Sequence, residues 1–335
     1  MKKIIFICPY FGEFPNYFNL TLSSIKYNKS IDWLIITDIK KEYNYPDNVK
    51  LIYSSFNELK QKIQSRFDFK ISLEKPYKLC DYKPAYGFIF YEYIKEYDFW
   101  GYCDFDCIYG NIRNFITEKV LTDYSRIYYL GHLSLYKNNE WINNMFKKPL
   151  GGKEIYKEVY SNSKNFAFDE RQMIKIFNEN GIAIFNDNKI ADIYPYIGAF
   201  NMVETVVNIE NGEHQSKIYN KQQIFKFERG TLECIFLEDN KINYQEKVYI
   251  HLQKRFMYNN VDNEDIFYIV PNKFIDNITI NEKIIKKYSK RIKYYRRRLR
   301  WKFSLKKRKQ KIKHLFRFLI KKLINKDNVV SLNKG

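Results

Sequence analysis

Two aspartates one residue apart, Asp104 and Asp106, interrupt the apolar run FWGYCDFDCIYGNI at residues 99–112. In an extended strand alternate side chains share a face, which predicts Tyr102, Asp104 and Asp106 on one side and Cys103, Phe105 and Cys107 on the other. Two carboxylates on one face of a buried strand end repel each other and lose hydration unless a cation lies between them. Hard divalent ions take carboxylate oxygens, and Mg²⁺ or Mn²⁺ in such places is commonly shared with substrate phosphates. The pair therefore predicts a metal–diphosphate site. A solvated strand end with ordinary turn aspartates has the same spacing, so the remaining chain has to separate the two readings.

The elements that must position the pair are legible on either side of it. The runs KIIFIC (3–8), DWLIIT (32–37) and KLIYS (50–54) read as short buried strands. A helical stretch at 17–27 and a helix start at Ser55-Phe56-Asn57-Glu58 alternate with them, which predicts an α/β chain with a parallel sheet and crossover helices. Ligands of such sheets bind at the carboxyl ends of the strands. One such end is the loop beginning Pro9, Tyr10, Phe11, and the aspartates form another, so a nucleotide fits between them. Residues 78–93 (KLCDYKPAYGFIFYEY) predict a helix with Pro84 in its first turn, Asp81 capping it and Lys83 near its N-terminus. Residues 128–136 (YYLGHLSLY) predict a strand with Gly131-His132 in its middle, open to backbone approach by a sugar; His132 fits equally a satisfied core histidine. Asp169 and Glu170 precede a helical stretch at 171–179 and fall in its first turn, where simple dipole complementarity also accounts for them. Residues 205–250 predict an antiparallel hairpin added at the sheet edge.

Composition and charge divide the chain in two. With 335 residues and 45% hydrophobic content, it can bury a sizeable core. Five cysteines with neither a CxxC pair nor a Cys/His zinc spacing predict reduced, mostly buried thiols in a cytosolic setting. The apolar run behind Lys2-Lys3 stops at Pro9 without a cleavage signature, and no segment reaches the roughly 18 apolar residues of a membrane span. The expected location is the cytoplasmic side. Of the net charge of +20, residues 283–326 carry 21 Lys and Arg and no acid, leaving 37 basic against 38 acidic residues elsewhere. This predicts a globular body over 1–280 and a basic helical appendage over 281–335. Ile285, Tyr288, Ile292, Tyr295 and Leu299, then Ile312, Leu315, Leu319 and Leu323, recur at helical spacing opposite cations. Such helices lie on anionic membrane surfaces, each nearby cation contributing about 1 kcal/mol. The same charges would also neutralise nucleic-acid phosphates, with Tyr294, Tyr295 and Trp301 stacking on bases. The neutral body favours the membrane.

Taken together, KLCDYKPAYGFIFYEY and YDFWGYCDFDCIYGNIRNF resemble the paired core motif of glycosyltransferases with the A-type (GT-A) fold. The chain resembles more closely a bacterial family of predicted polysaccharide glycosyltransferases that begin near ICPYFG and carry KLCD-x-KPAYG and a CD-x-D strand. It is similar, more distantly, to families 8 and 32, in which a double glycine stands where this chain has Trp100-Gly101-Tyr102 and an arginine where it has Lys83. The resemblance covers about residues 4–260. It implies a GT-A-type nucleotide-sugar-binding fold with a mostly parallel mixed sheet, in which Asp81 and Lys83 contact the nucleotide, Asp104 lies against ribose and metal, and Asp106 binds the metal. It further implies that His251, in YIHLQKR, completes the coordination and that Lys254 and Arg255 lie on the phosphates. Asp169 would stand near the anomeric carbon, with Glu170 beside it. Two carboxylates and an imidazole suit Mn²⁺ better than Mg²⁺. The implied activity is metal-dependent, retaining transfer of a sugar from a nucleoside diphosphate sugar, UDP-linked, to a glycan or lipid-linked acceptor in surface polysaccharide assembly. A nucleic-acid-binding protein with a non-catalytic fold, and a metal-dependent nucleotidyltransferase or phosphoesterase, are the alternatives.

Overall fold

The structure, a computed structural model, describes residues 1–194, 200–207, 214–220, 222–253 and 255–289. Strands β1 (Ile4–Pro9), β2 (Ile31–Thr37), β3 (Val49–Tyr53) and β4 (Phe99–Cys103) are mutually parallel. With β6 (Arg126–Leu130), β7 (Leu133–Lys137) and β8 (Ile184–Phe185) they make a seven-stranded mixed sheet in the order β3-β2-β1-β4-β7-β6-β8, where β7 alone runs against its neighbours. The mostly parallel mixed sheet expected from the sequence is present. Strand alternation sends Ile4, Phe6 and Cys8 of β1 into one core and Ile5 and Ile7 into another, so both faces are covered, as a parallel sheet requires.

Helix α1 (Phe18–Lys26) presents Phe18, Leu22 and Ile25 to the first core. Helix α2 (Phe56–Gln64) starts with a capping box: the Ser55 hydroxyl accepts from the Glu58 N–H, and the Glu58 carboxylate accepts from the Ser55 N–H. The single helix expected over 78–93 is instead a chain of short turns: Pro76–Lys78, Leu79–Tyr82, Lys83–Ala85, Tyr86–Ile89 and Tyr91–Ile94. Pro84 has no N–H to return to Cys80, and the turn around it tightens to the 3₁₀ form. No side chain caps that turn; Asp81 is engaged elsewhere.

Two further expectations give way. The strand placed at 128–136 is a hairpin, β6 and β7, in which Gly131-His132 form the turn, with a bulge between Ile127 and Leu130 and Tyr128 at φ 58°. The hairpin expected at the sheet edge is a separate antiparallel assembly: β10 (Asn201–Val207) pairs with β11 (His214–Asn220). Beyond it, β12 (Gln223–Glu228), β13 (Thr231–Glu238), β14 (Lys241–Glu246), β16 (Tyr258–Asn260), β17 (Ile266–Val270) and β18 (Lys273–Ile275) form a second sheet, with β14 at one edge and β16 at the other. The helix Glu282–Ser289 opens the segment read as an appendage, but Ile285 is buried against Ile224, Ile235 and Val270 of that sheet. The compact body therefore runs through Ser289, beyond the boundary expected at 280. Residues 290–335, the remainder of the basic segment, lie outside the described residues.

A further, three-stranded sheet joins β5 (Cys107–Tyr109), β15 (Tyr249–His251) and β9 (Ala191–Asp192). Its register sets His251 opposite Cys107 on one side and Asp192 on the other. This small sheet closes the end of β4 and gathers residues from three distant parts of the chain.

Candidate functional site

β4 stops at Cys103 and the chain resumes as β5 in a different sheet, so Asp104-Phe105-Asp106 is a turn, not a strand. Strand alternation is therefore not what orients the aspartates. Phe105 anchors the turn from below, its ring packed on Tyr10, Phe14 and Phe18. Thr21 Oγ1 donates to the carbonyls of Phe105 and Cys107, and the Asp104 N–H donates to His132 O at 3.2 Å. The apolar residue of the triplet is buried, while the Asp104 side chain is partly exposed and that of Asp106 mostly covered.

Asp104 faces Lys83, whose Nζ lies 2.8 Å from Asp104 Oδ1 and 2.7 Å from Gly131 O. Burial works against the ammonium charge, but Asp104 and Asp169 outweigh it and hold the Lys83 pKa well above the ordinary range. Asp106 faces His251, with Nε2 3.4 Å from Asp106 Oδ1, while His251 Nδ1 lies 2.8 Å from Asp192 Oδ1. Burial opposes protonation of this imidazole too, yet Asp106 and Asp192 raise it to about 10. The His132 ring stacks on His251 at 4.2 Å between centroids and its Nδ1 pairs with Tyr249 OH at 2.6 Å. Burial and the neighbouring His251 charge lower His132 to about 4, which keeps it neutral.

Asp169 and Glu170 lie on the helical turn Phe168–Gln172 that follows Ala167 at φ 52°. Glu170 Oε1 accepts from the Gly131 N–H at 2.9 Å. A Cβ at position 131 would fall 2.6 Å from Asp169 Oδ2 and 2.9 Å from Glu170 Oε1, so only glycine lets both carboxylates approach the β6–β7 turn. Asp169 is buried, and desolvation, with Glu170 and Asp104 adding repulsion against the pull of Lys83, raises its pKa to about 8.

The remaining expected contacts divide. Tyr10 borders the aspartates: burial and then Asp106 and Asp104 raise its phenol, which donates to Glu13 O at 2.9 Å. Pro9 ends β1, and Phe11 turns into the core against Phe56. Asp81 is not a surface contact. Fully buried, it pairs with Lys78 Nζ at 2.8 Å and accepts from the N–H groups of Phe166 and Phe168, which fixes the segment leading into Asp169. Arg255 is buried as well, donating to Asn272 Oδ1 and Tyr194 O with its guanidinium over Phe200, so it is a packing residue and not an exposed phosphate clamp. Lys254 lies outside the described residues.

Ligand atoms of Asp106, Cys107 and His251 lie within 4.8 Å of one another, as do those of His132, Asp192 and His251. An oxygen–imidazole pair beside a partly exposed second carboxylate, Asp104, fits a small divalent cation, so the donor set is compatible with the metal implied by the sequence. Asp104 is outside both groups, its Oδ1 being held by Lys83.

Several residues of the site carry no local signal in the sequence. Asp192 sits in a two-residue strand, and Gln253, Tyr249 and Arg126 become relevant only through pairing and packing: Arg126 Nη2 donates to Asp169 O at 3.1 Å from beneath. Residues 6–278 match a family of unknown function, DUF6625. No curated protein matches the chain.

Proposed function

We propose that this chain, which belongs to the DUF6625 family of unknown function, is a glycosyltransferase of the GT-A type, moving a sugar from a nucleoside diphosphate sugar, UDP-linked, to a glycan or lipid-linked acceptor in surface polysaccharide assembly. The observation that carries the reading is the convergence, at the carboxyl ends of β1 and β4, of the Asp104–Asp106 turn with Lys83, His251 and the Asp169–Glu170 pair. Ligands of parallel α/β sheets bind at this end.

Asp104, Asp106 and His251 would hold Mn²⁺ or Mg²⁺, which when bound offsets the charge of the departing diphosphate. The rest of the chemistry falls to the chain itself. Transfer breaks the bond between the anomeric carbon and the phosphate oxygen and forms one to an acceptor oxygen, whose proton has to leave. Asp169, with a pKa of about 8, is partly ionised near neutral pH and is suited to carry that proton. Lys83 supplies a fixed positive charge next to Asp104, and Glu170 is oriented by the Gly131 N–H. Tyr10, packed on Phe14 and Phe105, borders this side of the site.

Calorimetric titration with UDP, with and without MnCl₂, tests this. Metal-dependent binding by the wild type that disappears in Asp106→Ala is the expected result; binding that ignores the metal would sink the reading. The basic residues of 283–326 support a peripheral seat on anionic membrane, and no helix of the described residues is long and apolar enough to cross one. Because Ile285 belongs to the body, the chain to compare in liposome flotation ends after Ser289. It should remain in solution while the full chain floats with anionic lipid.

A further inference from the structure

The His251 imidazole is held on three sides. Its Nδ1 lies 2.8 Å from Asp192 Oδ1, its face lies against the His132 ring at 4.2 Å, and its Nε2 is turned toward Asp106 at 3.4 Å. Asp192 itself is buried, and Gln253 Nε2 donates to the same Oδ1 at 2.6 Å. The parallel pairing of β9 with β15 sets Asp192 opposite His251, so the contact is built by backbone register and not by a mobile loop. A carboxylate on Nδ1 fixes one proton there, so a cation bound by Asp106 takes the place of the second imidazole proton, on Nε2, which leaves to solvent. The stacked His132, with its own Nδ1 on Tyr249 OH, blocks the ring from tilting away.

We propose that Asp192 is a positioning residue that presents His251 Nε2 as a pre-oriented nitrogen ligand and thereby makes the site prefer Mn²⁺ to Mg²⁺. The inference rests on the metal-dependent reading given above. Mg²⁺ takes oxygen and keeps much of its water, so it gains little from an ordered imidazole, whereas Mn²⁺ accepts nitrogen readily. A histidine ligand whose second nitrogen meets a carboxylate typically loses metal affinity when that carboxylate is removed. Asp104 and Asp106 serve both ions alike. The selectivity therefore resides in the Asp192–His251 pair.

The test is calorimetric titration of the full chain with MnCl₂ and, separately, MgCl₂, for wild type, Asp192→Asn, Asp106→Asn and His132→Phe. Asp192→Asn keeps the shape of the side chain, and the ratio of the two affinities measured on one sample does not depend on what fraction is folded. The expected result is an Mn²⁺ affinity about 10- to 100-fold weaker in Asp192→Asn with Mg²⁺ affinity nearly unchanged. A ratio equal to that of the wild type would overturn the inference and leave the proposed function standing. Binding that survives Asp106→Asn but vanishes in His132→Phe would place the ion among His132, Asp192 and His251, and would overturn it as well. Absence of Mn²⁺ binding by the wild type would overturn both readings.

Discussion

Lys83 Nζ lies 2.8 Å from Asp104 Oδ1, so an ammonium stands beside the first aspartate of the pair where a divalent cation would draw the same oxygen. Any metal binding at Asp104 has to displace this contact, and the released lysine becomes available to phosphate oxygens. Lys83→Met is therefore expected to bind Mn²⁺ alone roughly 3- to 10-fold more tightly, the equivalent of about 1 kcal/mol for a partly exposed pair. The same variant should bind UDP less well in the presence of Mn²⁺. Calorimetry with Mn²⁺ first and UDP second separates the two effects, and equal Mn²⁺ affinity in both proteins would show that Lys83 does not compete.

Asp81 has a different kind of importance. Removing it leaves Lys78 charged in the interior and two backbone donors, at Phe166 and Phe168, without their acceptor. Asp81→Ala should cost about 3–5 kcal/mol, by analogy with other broken buried pairs. Thermal unfolding will register this as a clear fall in Tm, and a Tm unchanged from wild type would refute the structural role of Asp81.

The raised Asp169 pKa makes stability depend on pH in a fixed direction. From the ordinary value of 3.8 up to about 8, the unfolded carboxyl ionises while the folded one keeps its proton, so rising pH favours the unfolded chain across that window. Above it the penalty is constant. Asp169→Asn removes the titration, so its stability relative to wild type should increase between mildly acidic and mildly alkaline pH in urea melts. If Asp169 carries the proton in transfer, the same substitution lowers donor turnover by roughly 100- to 10,000-fold. A stability difference flat with pH would refute the buried-carboxyl account.

Gly131 tests whether the acid pair must touch the β6–β7 turn. The Cβ of Gly131→Ala would meet two carboxylate oxygens at less than 3.0 Å, one of which, Glu170 Oε1, is held by the Gly131 N–H. Overpacking of this kind costs about 1–3 kcal/mol. UDP–Mn²⁺ binding should persist in the variant while slow hydrolysis of the sugar nucleotide falls, because alanine keeps the backbone carbonyl that Lys83 contacts and its methyl group meets the acid pair. Full hydrolysis would show that the displaced carboxylates take no part in transfer.

The first half of the fold was legible because its signals are local. Apolar runs with β propensity separated by a capping box or a Pro/Gly break report strands and helices within a few residues, and the parallel sheet follows from their alternation. The paired aspartates were legible for the same reason, although Phe105, which packs beneath them, converts the expected strand into a turn. Pro84 broke the helix read over 78–93 because a missing N–H outweighs apolar periodicity.

What only the tertiary structure decided is how acids of similar local context divide their work. Asp81 and Asp104 both precede or follow aromatic residues in ordinary-looking sequence, yet Asp81 is enclosed against Lys78 while Asp104 stays at the rim against Lys83. Asp192 comes beside His251 through a β ladder between residues about sixty positions apart, and no periodicity in either segment reports that pairing. The sequence by itself determined the parallel sheet, the aspartate pair and the separation of charge, since propensity and pattern act over a few residues. Burial, register and the partner of each carboxylate depend on contacts between distant segments, and those exist only once the chain has folded.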